Sequence, residues 1–383
     1  MSRCENDPRL EVDPGRKLHG LSVELLSTTI AEVNSEPDVD AVLVLGDLTR
    51  DSEEFNHAAA RDLLAGIRAP YYIVLGNHDM LRQRPPGEHY EGVRYLDRVD
   101  VARYHRDRGF PNGRTQYVAE LPRGFALVVL DSNRTLAEVA RSGEPQSSQE
   151  DGWLGPVQLG WLDGMLGRVR GSGRLPIVAV HHSVLEQSPA ERPDHLLYGA
   201  FRHWRLTDAP LVVECLRRHK VRLVLSGHLH AQSVSVSNGL CNLVTSASVS
   251  YPHAWRLLTI SRDAIEIQSR PLAAIPSVPN LQERSRRWMA EGMSRLIANR
   301  VENLPLGGEI AEGLLEAVEQ SGWWPRFCDG TLAGFRIDPA LLPRGGIAAA
   351  AIVPRVVQVL NEYGDWKAAR PDPNDLVIPL APR

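Results

Sequence analysis

Apolar and polar positions follow two rhythms along this chain. Where apolar residues recur every three to four positions they predict amphipathic helices; short unbroken apolar runs between turn residues predict strands buried on both faces. The helical period marks Leu21 to Val33, Phe55 to Ile67, Val157 to Val169 and Leu211 to His219. Strands are predicted at Ala41 to Leu45, Tyr71 to Leu75, Gln116 to Glu120, Ala126 to Leu130, Leu175 to Val180 and Val221 to Ser226, with short β-segments from Cys241 to about Ser269. Strands alternating with helices are the pattern of an α/β layered domain. Leu81 to Arg114, rich in Arg, Pro and Gly, shows neither rhythm and reads as irregular.

Beyond Pro271 the texture changes. RPLAAIPSVPN reads as a linker, and helical patterns follow at Leu281 to Arg300, Glu309 to Gln320 and Ile347 to Tyr363. This predicts a boundary near residue 272, with an α/β domain over 1–271 and a mainly helical accessory region over 272–383. Trp288, Trp323, Trp324 and Phe327, spread among leucines, are expected to form core or a docking surface, an oligomer interface included.

Composition then removes several classes of function. A chain of 383 residues with 43% hydrophobic content can bury a sizeable core. A net charge of -4 gives no overall basic field of the kind that draws nucleic acid, which leaves only a local basic patch for such a partner. Cys4, Cys215, Cys241 and Cys328 form no CxxC pair, which speaks against a disulfide framework or a thiolate zinc site. The chain has no apolar run of membrane-spanning length, and MSRCENDPRL lacks the apolar core of a secretion signal; the expected location is cytoplasmic, with no membrane partner.

Candidate chemistry sits at strand ends. One strand runs to Gly46 and then Asp47, another to Gly76 and then Asn77, His78 and Asp79. A third ends in His181 and His182, and a fourth in Gly227, His228, Leu229 and His230. In an α/β sheet the carboxyl ends of strands line one crevice, so residues far apart in sequence converge there. Carboxylate, amide oxygen and imidazole together suit Mn, Fe, Co or Zn better than an all-oxygen Ca or Mg cage. Glycine before the ligand allows a sharp turn and close backbone approach. Alternation along a strand lets only one of His181 and His182 face the crevice.

GDLT, GNHD, VHHS and GHLH, in that order, resemble the motif series of the calcineurin-like metallophosphoesterases, over roughly residues 20 to 268. Their detailed wording is most similar to the class III cyclic nucleotide phosphodiesterase branch. The resemblance implies a four-layer α/β/β/α sandwich, two divalent transition-metal ions (Mn, Fe, Zn or Co) and hydrolysis of phosphate esters. It makes Asp47 the carboxylate bridging both ions, with Asn77, His181 and His228 completing one and His230 facing the other. His78 would sit over the phosphate and aid the departing oxygen, with Asp79 orienting its ring. His182 would border the substrate or pack.

In the family, an opening strand ending in D-x-H completes the first ion. No D-x-H precedes Asp47 here; Asp13 and His19 are six positions apart and follow no apolar strand. Either the true chain begins further upstream, the favoured expectation because His78 and the downstream ligands are kept, or the first metal site is incomplete. The sheet is accordingly expected to lack its first strand and to contain an open slot.

The expected function is a metal-dependent phosphodiesterase acting on a small phosphate ester, cyclic nucleotides among the candidates. The alternatives are a phosphomonoesterase or nuclease of the same fold, or a binding module with impaired hydrolysis. Asp51, Asp131 and Ser132 are expected to be solvated or capping, and His19, His57, His105 and His219 to lie on the surface. Arg202, His203, Trp204, Tyr251 and His253 are candidates for the cleft or its rim.

Overall fold

Apolar runs that read as buried on both faces do form the middle of a sheet. The computed structural model describes residues 17–82, 91–106, 109–142, 148–195, 202–261, 263–301, 308–343 and 346–379. A six-stranded sheet has the order β3-β4-β5-β6-β8-β7, from Tyr117–Leu121 (β3), Phe125–Val129 (β4), Leu175–Ala179 (β5), Leu223–Ser226 (β6), Ser233–Ser237 (β7) and Leu240–Val244 (β8). The four central strands are parallel and the two edges antiparallel. The period of two along each strand sorts the side chains. Leu127, Val129, Ile177, Ala179, Leu223 and Leu225 enter one core. Val128, Val178, Val180 and Val224 enter the other, against Leu162, Leu166, Val212 and Leu216 of two helices, Gly155–Gly171 (α5) and Ala209–Arg218 (α6).

The first core is closed by a second layer of strands. Val42–Val44 (β1) pairs in parallel with Tyr71–Ile73 (β2), while Ala254–Ile260 (β9), Ala264–Pro271 (β10) and Asp375–Pro379 (β11) form an antiparallel sheet in the order β11-β10-β9. Ile73, Ile265, Ile267 and Ile378 from this layer pack into the core beside Ile30 of Ser22–Ser35 (α1) and Ala59, Ala60 and Leu64 of Glu54–Leu64 (α2). The result is the four-layer α/β/β/α sandwich, built as the sequence predicts. Among the described residues no helix is long and apolar enough to cross a membrane.

The second layer is interrupted. Among the described residues β1 pairs with β2 alone and β9 with β10 alone. Both line one cavity of about 850 Å³, walled by Val42 to Leu45 on one side and Trp255 to Ile260 on the other. This is the open slot expected of a sheet short of one strand.

The C-terminal region is mainly helical and packs on the α/β part. Its helices, Leu281–Val301 (α7), Gly308–Ser321 (α8), Trp323–Asp329 (α9) and Gly346–Ala368 (α10), share a core with Ala190, Ala231 and Tyr251 of the α/β part. The chain then returns as β11 to extend the sheet of β10, so residues 375–379 belong to the sandwich. Sequence texture finds where the helices begin but cannot see the return, because strand pairing is decided by a partner more than a hundred residues away. The irregular stretch after Leu81 holds one short helix, Arg98–Tyr104 (α3), capped by the Asp97 side chain on Asp100 N. A second short helix, Leu136–Ser142 (α4), follows β4.

Candidate metal centre

β1, β2, β5 and β6 all deliver their carboxyl ends to one edge of the sandwich. Gly46 turns the chain out of β1 with φ +95°, and a Cβ there would lie 2.6 Å from His181 Nδ1. A Cβ on Gly76 would overlap the backbone nitrogen and carboxylate of Asp47, so the two strand ends can meet only with glycine at this position. Asp47, His228 and His230 themselves hold left-handed backbone angles, φ 56°, 67° and 54°. Such conformations are costly for residues with side chains and gather at functional sites.

The side chains converge. His181 Nε2 lies 3.2 Å from Asn77 Oδ1 and 3.4 Å from Asp47 Oδ1. Its Nδ1 donates to Leu45 O at 2.7 Å, which fixes the ring, and against burial the Asp47 charge and hydrogen bond raise the imidazole pKa, so that Nε2 also carries a proton toward the two oxygens. Asp47 Oδ1 also accepts from His78 N at 3.0 Å. Burial alone would raise the Asp47 carboxyl, but His181 and then His78 hold it well below the usual carboxylate range. His228 packs near both neighbours, its ring centroid 5.1 Å from His181 and 4.4 Å from His182, and burial lowers its pKa to about 3. His230 lines the same cavity as Asp47 and His228, with its Nδ1 3.2 Å from Ser250 Oγ.

His182 turns the other way. Its Nδ1 meets Ser132 Oγ at 2.7 Å and its Nε2 meets Glu150 O at 3.1 Å, so both nitrogens are occupied by protein. The ring also limits what can pass behind it, since a Cβ on Gly152 would lie 2.5 Å from its Cγ. His182 is a packing residue.

His78 sits partly buried beside Asp47, but Asp79 does not orient its ring. Asp79 accepts from the backbone nitrogens of Gly76 at 2.9 Å and Thr49 at 3.0 Å, clamping the two loops together; burial and then Asp47 raise its pKa. The His78 ring is instead held by its Nδ1 on Arg50 O at 2.6 Å, near Asp51 at 3.6 Å. A guanidinium nitrogen of Arg82 lies 3.2 and 3.1 Å from its two nitrogens, and Glu150 holds that side chain at 2.8 Å. Burial, assisted by Lys17 and Arg82, lowers the imidazole to about 3 against the pull of Asp47. Neither Arg82 nor the Arg50 carbonyl stands out in the sequence, because their roles depend on loops brought together only in three dimensions.

Several other expectations change. Asp131 and Ser132 are buried, Asp131 accepting from Thr115 and Asn133 and pairing with Arg98 at 3.1 Å; Asp51 is buried too. His57 and His105 form a buried pair, Nδ1 to Nε2 3.2 Å, under the Asp79 carbonyl. His19 lines the cavity next to Lys17, and His219 is held by Asp163 at 2.8 Å. Cys215 joins Asp163 and His219, with ligand atoms within 4.8 Å of one another, although Arg218 holds the same carboxylate at 2.8 Å. Arg202 and His203 turn to Asp151, while Trp204 packs on Phe327 at 5.6 Å and Tyr251 donates to Asp329 at 2.7 Å. His253 donates to Ser248 O at 2.8 Å. Trp204 and Tyr251 therefore anchor the C-terminal helices. Asp13 and Cys4 lie outside the described residues.

A sandwich of this layout, with a carboxylate, an amide oxygen and imidazoles converging at its strand ends, defines the metallophosphoesterase class of phosphoric ester hydrolases. A family model described as calcineurin-like phosphoesterase matches residues 19–232, and the chain belongs to that family. A probable cyclic nucleotide phosphodiesterase of Rhodopseudomonas palustris is 43% identical over 67 residues, 17% of this chain; the match spans about a quarter (24%) of that protein's length. A second probable cyclic nucleotide phosphodiesterase, of Synechococcus, is 24% identical over 270 residues, 67% of this chain and 86% of that protein. Among solved structures, a dimetal phosphatase from Danio rerio superposes with a TM-score of 0.50 at 15% identity, covering 67% of this chain and 88% of that one, a likeness of fold. The family implies divalent metal ions. The donors fit them: His181 Nε2, aimed by the bond from Nδ1 to Leu45 O, stands next to a carboxylate kept ionised and an amide oxygen, and a cation would take the place of its proton.

Proposed function

We propose that the chain hydrolyses small phosphodiesters, cyclic nucleotides being the class favoured by its two curated relatives, with divalent transition-metal ions held by Asp47, Asn77, His181 and His228 and approached by His230. The observation that carries this reading is the meeting of His181 Nε2 with Asn77 Oδ1 and Asp47 Oδ1 at 3.2 and 3.4 Å. When bound, such ions supply Lewis acidity and a hydroxide nucleophile at neutral pH. The protein's own share is orientation and proton handling. Arg50 O fixes the His78 ring at the cavity, neutral while the site holds no anion. A phosphate beside it brings negative charge, which raises the imidazole pKa and lets the ring donate to a departing oxygen. Arg82, a guanidinium 3.1 Å from that ring, adds positive charge on the same side. Manganese-supplemented hydrolysis of bis-p-nitrophenyl phosphate and of cyclic nucleotides tests the reading. Wild type should exceed His78→Ala by about 10²-fold or more and Asp47→Asn by at least as much; equal rates in all three would refute it. The cavity beside β1 favours a second reading, a phosphate-ester-binding module with impaired hydrolysis. That reading requires binding of the same esters without turnover.

A further inference from the structure

Two helices on the outer face of the six-stranded sheet bring together a second set of donors. Cys215 and His219 stand one turn apart at the end of α6, where His219 N donates to Cys215 O at 3.2 Å, so both side chains lie on one face. Asp163 of α5 meets them there. Its Oδ1 accepts from His219 Nε2 at 2.8 Å and from Cys215 Sγ at 3.7 Å, and the three ligand atoms lie within 4.8 Å of one another. We propose that Asp163, Cys215 and His219 form a zinc site that staples α5 to α6, with water as the fourth ligand. The site is separate from the donors around Asp47. β5, α6 and β6 make a parallel strand-helix-strand unit, in which the helix runs back to the amino end of the sheet. His219 precedes β6 whereas His228 follows its carboxyl end, so the length of that strand lies between the two sets.

The chemistry selects zinc. Thiolate, imidazole and carboxylate bind it at about 2.3, 2.0–2.1 and 2.0–2.2 Å, and a tetrahedral ion then spaces these donor atoms about 3.3–3.6 Å apart. The sulfur and oxygen are already close to that spacing, and the nitrogen and oxygen need to part by about half an ångström. A sulfur donor disfavours Mg and Ca. Cys215 is 2% exposed, while the side chains of Asp163 and His219 are 46% and 17% exposed, so the thiol is sheltered and the carboxylate is open to an arriving ion. Burial and then Asp163 push the thiol up to about 11, which keeps it protonated at neutral pH. Binding breaks the S–H bond, forms an S–Zn bond and releases the proton to solvent, while the imidazole takes zinc at Nε2 and carries its own proton at Nδ1. Arg218 Nη1 shares Asp163 Oδ1 at 2.8 Å. Its Nη2 lies 3.5 Å from Glu214 Oε1 one turn back, so the guanidinium keeps a carboxylate when zinc takes Asp163. A search for paired cysteines passes over such a site, because one thiolate is completed by its own helix turn and by a neighbouring helix.

The test titrates the full chain with cobalt, because a thiolate bound to cobalt gives a charge-transfer band in the near ultraviolet, and Asp47, Asn77, His181, His228 and His230 offer only oxygen and nitrogen. Wild type should show the band, Cys215→Ala should lack it, and added zinc should abolish it. Asp47→Asn should keep it. Calorimetry should count one zinc more per chain in wild type than in Cys215→Ala. Loss of an outer partner alone weakens a metal by about 10- to 100-fold, so His219→Gln and Asp163→Asn, which remove ligands, should raise the half-saturation of the band by at least about tenfold. A wild type without the band, a band that persists in Cys215→Ala, or half-saturation unchanged in His219→Gln and Asp163→Asn would overturn the proposal. If Cys215→Ala fails to fold, the two variants at exposed positions decide by themselves. None of these readouts involves hydrolysis, so they stand apart from the proposed function.

Discussion

The Nδ1 of His181 lies 2.7 Å from the carbonyl oxygen of Leu45, and this bond aims the opposite nitrogen at Asp47 and Asn77. Outer partners of this kind fix ring orientation and ligand basicity. His181→Ala should weaken manganese binding by about 10- to 100-fold in calorimetry. His182→Asn, which alters a ring already held by Ser132 and Glu150, should cost stability while leaving the binding stoichiometry unchanged.

Gly76 is defined by what surrounds it. Because a Cβ would overlap the Asp47 backbone and carboxylate, Gly76→Ala must push the ends of β1 and β2 apart. The expected cost is about 1–3 kcal/mol in urea unfolding, with manganese affinity reduced as in the Asp47 variants. An unaltered affinity would mean that the loops relax without moving the carboxylate.

The buried His57–His105 pair predicts acid sensitivity. Burial lowers His57 to about 3 and His105 to about 4, from 6.5 in the unfolded chain. Below pH 6.5 the unfolded state takes up protons that the folded state refuses. The stability present above pH 6.5 is therefore lost as pH falls toward 4, by about 1.4 kcal/mol per pH unit for each ring. Urea midpoints at pH 7, 6 and 5 should fall more steeply in wild type than in His57→Gln/His105→Gln.

Lys367 is buried, donates to Ser233 Oγ at 2.6 Å, and has its pKa lowered to about 7 by burial and then by Arg370. Its folded value lies below the unfolded 10.5, so the penalty for charge in the core is full below pH 7 and fades as pH rises to 10.5. Lys367→Met should gain about 1–3 kcal/mol at pH 6, and the gain should shrink by pH 10. A constant difference across that range would place the ammonium in contact with water.

Ending the chain near residue 270 removes β11 from its pairing with β10 and strips Trp323, Phe327 and Tyr363 from the face that covers Tyr251 and Ala231. The truncated chain should aggregate on expression, and recovery of a soluble monomer with an unchanged Tm would show that the helices are dispensable.

The elements and the donor set are legible in the sequence because their signals are local. Ala126 to Leu130 reads as a strand from its own residues and packs on both faces as expected; Asp47, Asn77, His181 and His228 stand out because each follows an apolar run. Trp204 and Tyr251 escape such a reading, because an aromatic side chain near a cleft looks the same in sequence whether it faces a ligand or Phe327 and Asp329. His57 and His105 look like surface residues until the fold puts them 3.2 Å apart.

Sequence by itself determined which segments become strands, which residue types stand at their carboxyl ends, and the family to which the motif series points, since side-chain period and strand-end chemistry are carried by neighbours in the chain. Tertiary structure alone decided that Arg50 O, and not Asp79, holds the His78 ring, that β11 returns to the sandwich, and that β1 and β9 wall one cavity. Each of these depends on backbone groups meeting across loops or sheets, and a hydrogen bond between distant carbonyl and ring leaves no trace in the order of residues.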